Sequence, residues 1–199
     1  MILEGLVTTL GSDDGMHVAA MGPWVDDGER EAGRIGRLVL RPFATSQTAA
    51  NLARHPEGVF HLVDDPLMLA RVVAGRLEGP PEARPAERVR GHVLAAACRA
   101  YEFRVTAADT AQDRGRLEAT VLREHDLRPF LGFNRAAHAV VEAAILVTRL
   151  HLTGPEEVLR RLADLEPLVE KTGGQREREA FAILRDAVPR SGGASGGRL

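Results

Sequence analysis

The sequence predicts an α+β fold in which a small closed or half-open β-barrel is followed by a helical segment. Up to residue 127, short apolar and β-branched runs alternate with turn signals, which indicates about six strands and two short helices. From Phe133 onward, apolar residues recur at helical spacing and are divided by capping residues and glycines. We therefore predict a barrel domain over 1–127, a helical domain over 128–190 and a disordered Gly/Ser-rich tail over 191–199.

Composition restricts the classes of function. Of 199 residues, 44% are hydrophobic and 27% are charged, as is typical of a soluble globular protein. The formal net charge of −2 gives no electrostatic reason to expect binding to nucleic acid or to a membrane. Cys98 is the only cysteine, so an internal disulfide is excluded and a reducing, cytoplasmic location is expected. The sequence shows no zinc-binding motif, no signal-peptide pattern and no apolar run of membrane-spanning length.

The barrel is expected to begin with a β-hairpin, because Gly11–Gly15 is a strong turn signal between two β-branched runs. In the strand predicted at Ala96–Ala107, apolar residues alternate with polar ones such as Glu102, so one face is expected to be solvated. Asp26–Gly33 is charged and Glu78–Pro85 is proline-rich, and both are expected to be loops. The predicted strands are Met1–Leu10, Met16–Met21, Ile35–Leu40, Val59–Val63, Ala96–Ala107 and Leu117–Glu124.

The expected helices are set by their caps and breakers. A short helix should end at His55-Pro56, and Asp64-Asp65-Pro66 should begin the next one. Thr153 is the expected N-cap of a later helix. His61 lies in an apolar strand and is expected to be a satisfied core histidine, while Cys98 is expected to be a core or interface residue without a nucleophilic role. Beyond the first, the predicted helices are Leu67–Leu77, one from Asn134 to about Leu152, Gly154–Val169 and Glu177–Val188.

The stretch Arg41–Leu52 carries the clearest chemical signal. The apolar run Leu38–Leu40 leads into it, and three hydroxyl residues crowd the start of the short helix that follows. Hydroxyls at a helix start cap free backbone N–H groups, and these groups form an anion site together with the helix dipole. On these grounds alone, a capped surface helix without a ligand is the favoured interpretation. The candidate phosphate ligands are Arg41, Thr45, Ser46, Gln47, Thr48 and Asn51.

A second candidate lies at the start of the long helix that Asn134 is expected to cap. Arg135 and His138 fall in its first turn, where a positive charge opposes the helix dipole. A docked anion would remove that conflict. Pairing of Arg135 with Asp126 and of His138 with Glu142 would also remove it. The residues alone do not favour either interpretation.

Both stretches resemble the flavin reductase-like, FMN-binding split barrels. In that superfamily a barrel strand ends in Ser/Thr residues followed by a short helix that carries an Asn, here Ser46, Thr48 and Asn51. The run from Gly132 to Leu150 closely resembles the second hallmark of one uncharacterised member family, known as domain of unknown function family 447. The resemblance spans roughly Leu3 to Val188 and implies a split β-barrel followed by a C-terminal helical segment.

The resemblance also implies a cofactor and its contacts. FMN would bind through its 5′-phosphate at Ser46, Thr48 and Asn51, supported by the neighbouring candidates. The turn Gly22–Val25 would pass along the flavin, so Trp24 would either flank the isoalloxazine or merely cover the barrel mouth. Asn134, Arg135 and His138 would add contacts from the long helix. Such barrels usually pair, so a homodimer that shares its flavin sites is expected.

The resulting interpretation is an FMN-binding flavoprotein, an oxidoreductase whose small-molecule substrate is unknown. Flavin would perform the redox chemistry, and His138 is the only polar candidate for a part in it. Two alternatives remain open. One is a flavin carrier without catalysis on the same fold, and the other is a cofactor-free barrel that serves as an interaction module.

Overall fold

A computed structural model describes residues 1–189, and its contacts divide the chain into two compact units. The barrel unit comprises Met1–Asp64 and Leu77–Leu131, and the helical unit comprises Asp65–Arg76 and the chain from Gly132 onward. The tail predicted over 191–199 lies outside the described residues. The domain limits predicted from the sequence stay a prediction, but the segment Asp65–Arg76 joins the C-terminal helices although it lies within residues 1–127.

The barrel unit is built on an antiparallel sheet. Its elements are β1 Leu6–Leu10, β2 Met16–Ala20, α1 Asp27–Glu31, β3 Arg37–Leu40, α2 Gln47–Arg54, β4 Glu57–Leu62, β5 Ala83–Pro85, β6 His92–Leu94, β7 Arg99–Asp109 and β8 Arg116–Asp126. Six strands form one sheet in the order β2-β1-β4-β7-β8-β3, and β5 pairs with β6 separately. The predicted first hairpin is confirmed, since Gly11 N–H donates to Gly15 O at 2.8 Å in the turn between β1 and β2. Within the sheet lies an apolar core that includes Val7, Leu38, Phe60, Tyr101 and Phe103.

Trp24 closes this sheet into a ring. Its backbone pairs with Ile2 on one side and with Val39 of β3 on the other. Trp24 N–H donates to Val39 O at 2.8 Å, and Val39 N–H donates to Trp24 O at 2.9 Å. Because Trp24 follows β2 along the chain, the last strand of the sheet, β3, is connected back to the first, β2. Closure removes the open edge that β3 would otherwise present.

The charged segment Asp26–Gly33 forms a helix, so its prediction as a loop is wrong. Asp26 is the N-cap of α1, and its carboxylate accepts the Gly28 N–H at 2.9 Å. Glu29 then accepts the N–H groups of Gly36 and Arg37, both at 3.2 Å, which ties the helix to the start of β3. An acidic cap followed three residues later by Glu is a helix-start signal that the polar composition obscured.

Residues 79–97, here called the strap, cover the outer face of β4 and β7. The strap contributes Val89 and Val93 to a second apolar cluster with Val59 and Ala100. The connector predicted at Glu78–Pro85 is mostly exposed, but its last three residues form β5, which pairs with β6 further along the strap. The predicted solvated face of β7 is therefore wrong at Glu102, whose side chain is 0% exposed.

Two buried carboxylates hold the strap in place. Backbone N–H groups of residues 87–89 donate to Glu102 at 2.5–3.2 Å, and Arg90 N–H donates to Glu57 at 2.8 Å. His125 Nε2 lies 2.6 Å from Glu102. Burial would raise the pKa of Glu102, but these hydrogen bonds to its charged form outweigh burial and leave the pKa below its ordinary value. The outer face of the barrel thus depends on ionised side chains.

His61 is a satisfied core histidine, as predicted. It is fully buried on β4, with Nδ1 3.3 Å from Leu6 O, and Nε2 accepts the Leu94 N–H at 3.1 Å. These partners require a neutral ring that donates from Nδ1. Desolvation by burial lowers the pKa of His61 to about 4.

The helical unit packs helix on helix. Its elements are α3 Pro66–Val73, α4 Arg135–Thr148, α5 Leu150–Thr153, α6 Pro155–Thr172 and α7 Gln175–Asp186. Asp65 caps α3 by accepting the Leu67 N–H at 3.1 Å, and α3 packs against α4 and α7. Thr153 was predicted to cap α6, but that prediction is wrong. Thr153 lies in α5, and Gly154 takes the N-cap position of α6 with φ of +82°. The positive φ favours glycine at that corner.

Candidate functional site

The start of α2 has a hydroxyl cap and a first turn without an acidic residue. Ser46 is the N-cap, and its Oγ accepts the Ala49 N–H at 3.2 Å. The preceding amides of Gln47 and Thr48 lie in the first turn, where the helix offers them no backbone acceptor. The first turn carries no acidic residue that would neutralise its partial positive charge. Arg41, Thr45 and Gln47 are exposed beside it, while Thr48 is buried. We call residues 41–48 the anion cradle.

Asn51 lies beneath the cradle. Its side chain is fully buried, and Nδ2 donates to the Thr9 hydroxyl of β1 at 2.9 Å. Its Oδ1 accepts from Gln47 Nε2 at 2.7 Å. Both ends of the amide are thus used inside the protein, and Asn51 anchors α2 to the barrel. A direct contact between Asn51 and a ligand stays a prediction.

Trp24 reaches the same region of the barrel through its pairing with Val39, two residues before Arg41. Its side chain is 47% exposed. The backbone therefore closes the sheet while the indole leaves part of its surface at the outside of the barrel. A half-exposed indole suits stacking on a planar ligand, but it also suits simple coverage of the barrel, so both interpretations of Trp24 stay open.

Arg114 was not predicted from the sequence, yet the structure brings it against the cradle. It lies in the turn between β7 and β8, and its guanidinium carbon is 4.0 Å from the ring centroid of Phe43. A resemblance to known motifs could not reveal it, because the contact depends on which two loops meet at this end of the barrel. Only the pairing of β3 with β8, read together with its register, would have indicated their proximity.

The second group of predicted residues belongs to the helical unit. Asn134 is the N-cap of α4, as predicted, and its Oδ1 accepts the Ala136 N–H at 2.8 Å. Arg135 and His138 are exposed, and the ring of Phe133 meets that of His138 edge-on at 5.7 Å. Among the described residues of this unit, neither Arg135 nor His138 forms an ion pair, so the alternative pairing of His138 with Glu142 is not formed. Their contact with a cofactor stays a prediction.

Cys98 and its neighbours carry no catalytic signature. The thiol is buried, and burial raises its pKa, with the Asp64 carboxylate adding to the shift. Hydrogen bonding from Arg128 holds the pKa of Asp64 at about 2. A thiol with a raised pKa is a poor nucleophile, which agrees with the core position predicted for Cys98.

Residues 1–189 contain no group of three or more His, Cys, Asp or Glu side chains that could hold a metal ion. In the same range, no helix is both long and apolar enough to cross a membrane.

Family models decide the relationship. The N-terminal domain model of a protein of unknown function (DUF447) matches residues 3–127, and the DUF447 C-terminal model matches residues 134–186. The chain belongs to the DUF447 family. The family resemblance seen in the sequence is thereby confirmed, and this DUF447 protein has both parts that the family models describe.

Solved structures confirm the split-barrel fold. The FMN-bound DUF447 protein MM1853 from Methanosarcina mazei is 23% identical with a TM-score of 0.80, over 94% of each chain. The styrene monooxygenase flavin reductase from Pseudomonas putida S12 is 10% identical with a TM-score of 0.51, over 64% of this chain and 82% of that one. An FMN-binding protein from Thermus thermophilus is 10% identical with a TM-score of 0.52, over 63% of this chain and 73% of that one.

Proposed function

We propose that this DUF447 protein binds FMN, with the phosphate at the anion cradle. The observation that carries the proposal is the start of α2, where a hydroxyl cap, two first-turn amides and an exposed arginine lie together without an acidic residue. The FMN bound to MM1853, which shares the fold over nearly the whole chain, supports the choice of ligand.

The residues present suit a phosphomonoester. Amides of the first turn and the Thr45 hydroxyl would donate to phosphate oxygens, and Arg41 would add a charged donor. Asn51 would hold the helix start in place through Thr9 without leaving the interior. The half-exposed indole of Trp24 would lie against the flavin ring. Bound FMN would supply two-electron redox chemistry, while these side chains bind and orient it.

The cradle can be tested through the phosphate alone. Thr45→Val and Thr48→Val remove one hydroxyl each, and Thr120→Val, at an exposed position of β8, is the matched control. Loss of a hydroxyl contact to a charged oxygen costs about 1.5–3 kcal/mol, so one of the two variants should bind FMN roughly ten- to a hundredfold more weakly. Fluorescence titration with FMN and riboflavin measures this. Equal wild-type affinities for the two flavins would exclude a phosphate cradle.

We further propose that the flavoprotein acts as an oxidoreductase on a small molecule in the cytoplasm. The flavin reductases among the similar folds support this class, and the single cysteine suits a reducing compartment. Stopped-flow mixing of the FMN-loaded protein with NADH or NADPH tests it, because rapid bleaching at the flavin absorbance maximum is expected. A carrier without catalysis would keep its colour, and a cofactor-free interaction module would never take up flavin.

A homodimer is the third part of the proposal. Three apolar side chains in the segment 130–133 lie at the surface: Phe130 is 52% exposed, and Leu131 and Phe133 are each 89% exposed. An apolar run of this kind is typical of an interaction surface, and a two-fold pair would use it twice. Light scattering over a dilution series should give twice the mass of the chain, and Leu131→Asp should give the monomer. A wild-type monomer with full FMN affinity would contradict a shared site.

A further inference from the structure

The turn between β7 and β8 is attached to the anion cradle by its backbone. Phe43 and Arg114 form an isolated β-bridge, which places the middle of the turn beside the residue that begins the approach to α2. Two hydrogen bonds flank the bridge: Ala44 N–H donates to Asp113 O at 2.9 Å, and Gly115 N–H donates to Pro42 O at 3.0 Å.

The Arg114 side chain extends this attachment to the cap of α2. Its guanidinium stacks over the Phe43 ring at 4.0 Å, a distance at which a cation is attracted to the ring face. The Phe43 carbonyl accepts the Ser46 N–H at 2.9 Å, so the residue under the guanidinium also fixes the N-cap. A shift of Phe43 would therefore move the hydroxyl and amides that form the cradle.

We infer that Arg114 positions the anion cradle and thereby determines its preference for a phosphorylated flavin. The inference rests on the proposed FMN site. The donors of the cradle bind a phosphate best when they are already in place, and the stack of Arg114 on Phe43 fixes the residue whose carbonyl accepts the Ser46 N–H. Loss of that stack would loosen the donors proposed to face the phosphate, whereas the neutral isoalloxazine does not depend on them.

The test compares Arg114→Met and Arg114→Lys with Arg116→Met. Arg116 begins β8, and its guanidinium contacts Glu118 at 3.0 Å, so replacing it removes a nearby arginine without removing the stack on Phe43, which makes it the matched control. Arg114→Met should weaken FMN binding about tenfold while changing riboflavin binding less than about twofold. Arg114→Lys should recover part of the FMN affinity, because it keeps the charge but loses the planar stack. Arg116→Met should match the wild type for both flavins.

The outcomes separate this inference from the proposal on which it rests. Wild-type FMN affinity in Arg114→Met would overturn the role of Arg114 alone. Equal weakening for FMN and riboflavin, together with a lower melting temperature of the apoprotein, would reduce Arg114 to a structural residue and also overturn it. A wild-type protein that binds neither flavin would overturn the proposed FMN site itself.

Discussion

Replacing Glu102 by glutamine should unfold the barrel unit far more easily, although the two side chains have nearly the same shape. Oε1 of Glu102 accepts from Glu87 N–H and lies 2.6 Å from His125 Nε2, while Oε2 accepts from Arg88 and Val89 N–H. An amide keeps one acceptor oxygen and turns an NH₂ group toward the other pair of donors. In either orientation of the amide, its NH₂ group points at two of the four N–H donors, and those two are left without an acceptor.

The magnitude follows from those two donors. A buried donor left without an acceptor costs about 1–3 kcal/mol, and each hydrogen bond to the charged form was worth about 1.5–3 kcal/mol. We therefore expect Glu102→Gln to lower the free energy of unfolding by about 3–5 kcal/mol, a large share of the roughly 5–15 kcal/mol that a domain possesses. For a chain of this size, the melting temperature should fall by roughly 10 °C.

Urea unfolding at pH 7 measures the effect, with the fluorescence of Trp24 as the signal. Trp24 is the only tryptophan, and it reports on the barrel unit because its backbone closes that sheet. Glu118→Gln is the control, because Glu118 is an exposed strand residue paired with Arg116, and its removal should cost less than about 0.5 kcal/mol. A loss below about 1 kcal/mol for Glu102→Gln would refute the view that the carboxylate holds the strap.

Three further predictions concern other residues. His61 should make the fold sensitive to acid, because burial lowers its pKa to about 4 and the unfolded chain therefore binds more protons between pH 6.5 and 4. The free energy of unfolding should fall by about 3 kcal/mol over that range. Urea titrations of His61→Gln should largely lack this loss. Asn51→Ala should lower the unfolding free energy by about 2 kcal/mol, because it leaves the buried Thr9 hydroxyl without its donor; unchanged stability with weaker FMN binding would instead indicate a direct ligand role. Arg135→Ala should change the melting temperature by less than about 2 °C while weakening FMN binding, and the reverse pattern would show a structural pairing.

The sequence was informative at several helix starts, although it missed the cap at Asp26 and misplaced the one before α6. Ser46, Asp65 and Asn134 were recognisable as caps, or as part of one, because capping depends on a few adjacent residues. Glu102 was misplaced because its environment depends on strap residues 13–15 positions earlier in the chain, which pack over the outer face of β7. A polar residue alternating with apolar ones normally faces solvent, and nothing adjacent to Glu102 reveals that four donors converge on it.

In the candidate site, too, features set by adjacent residues could be predicted and features set by distant parts of the chain could not. Hydroxyls and an arginine before a short helix allowed an anion cradle, because the relevant N–H groups and their cap are neighbours in sequence, but only the family resemblance favoured it over a capped helix without a ligand. Arg114 could not be found that way, because it reaches the cradle through the pairing of two loops. Nor could the sequence reveal that Asn51, a candidate ligand, has both ends of its amide occupied within the barrel unit.

The architecture around the cradle suits the binding role proposed for a short helix. An isolated helix of eight residues is unstable in water, so its N-terminal amides would not hold a fixed arrangement. Here the Asn51 side chain donates to Thr9, and the Arg54 guanidinium donates to Leu10 O, so α2 is fastened to β1 along its length. At the other end, Trp24 holds β3 within the closed sheet just before the cradle begins. Since the barrel fixes both flanks, an anion entering the proposed cradle would meet donors already in place and would lose little binding energy in ordering them.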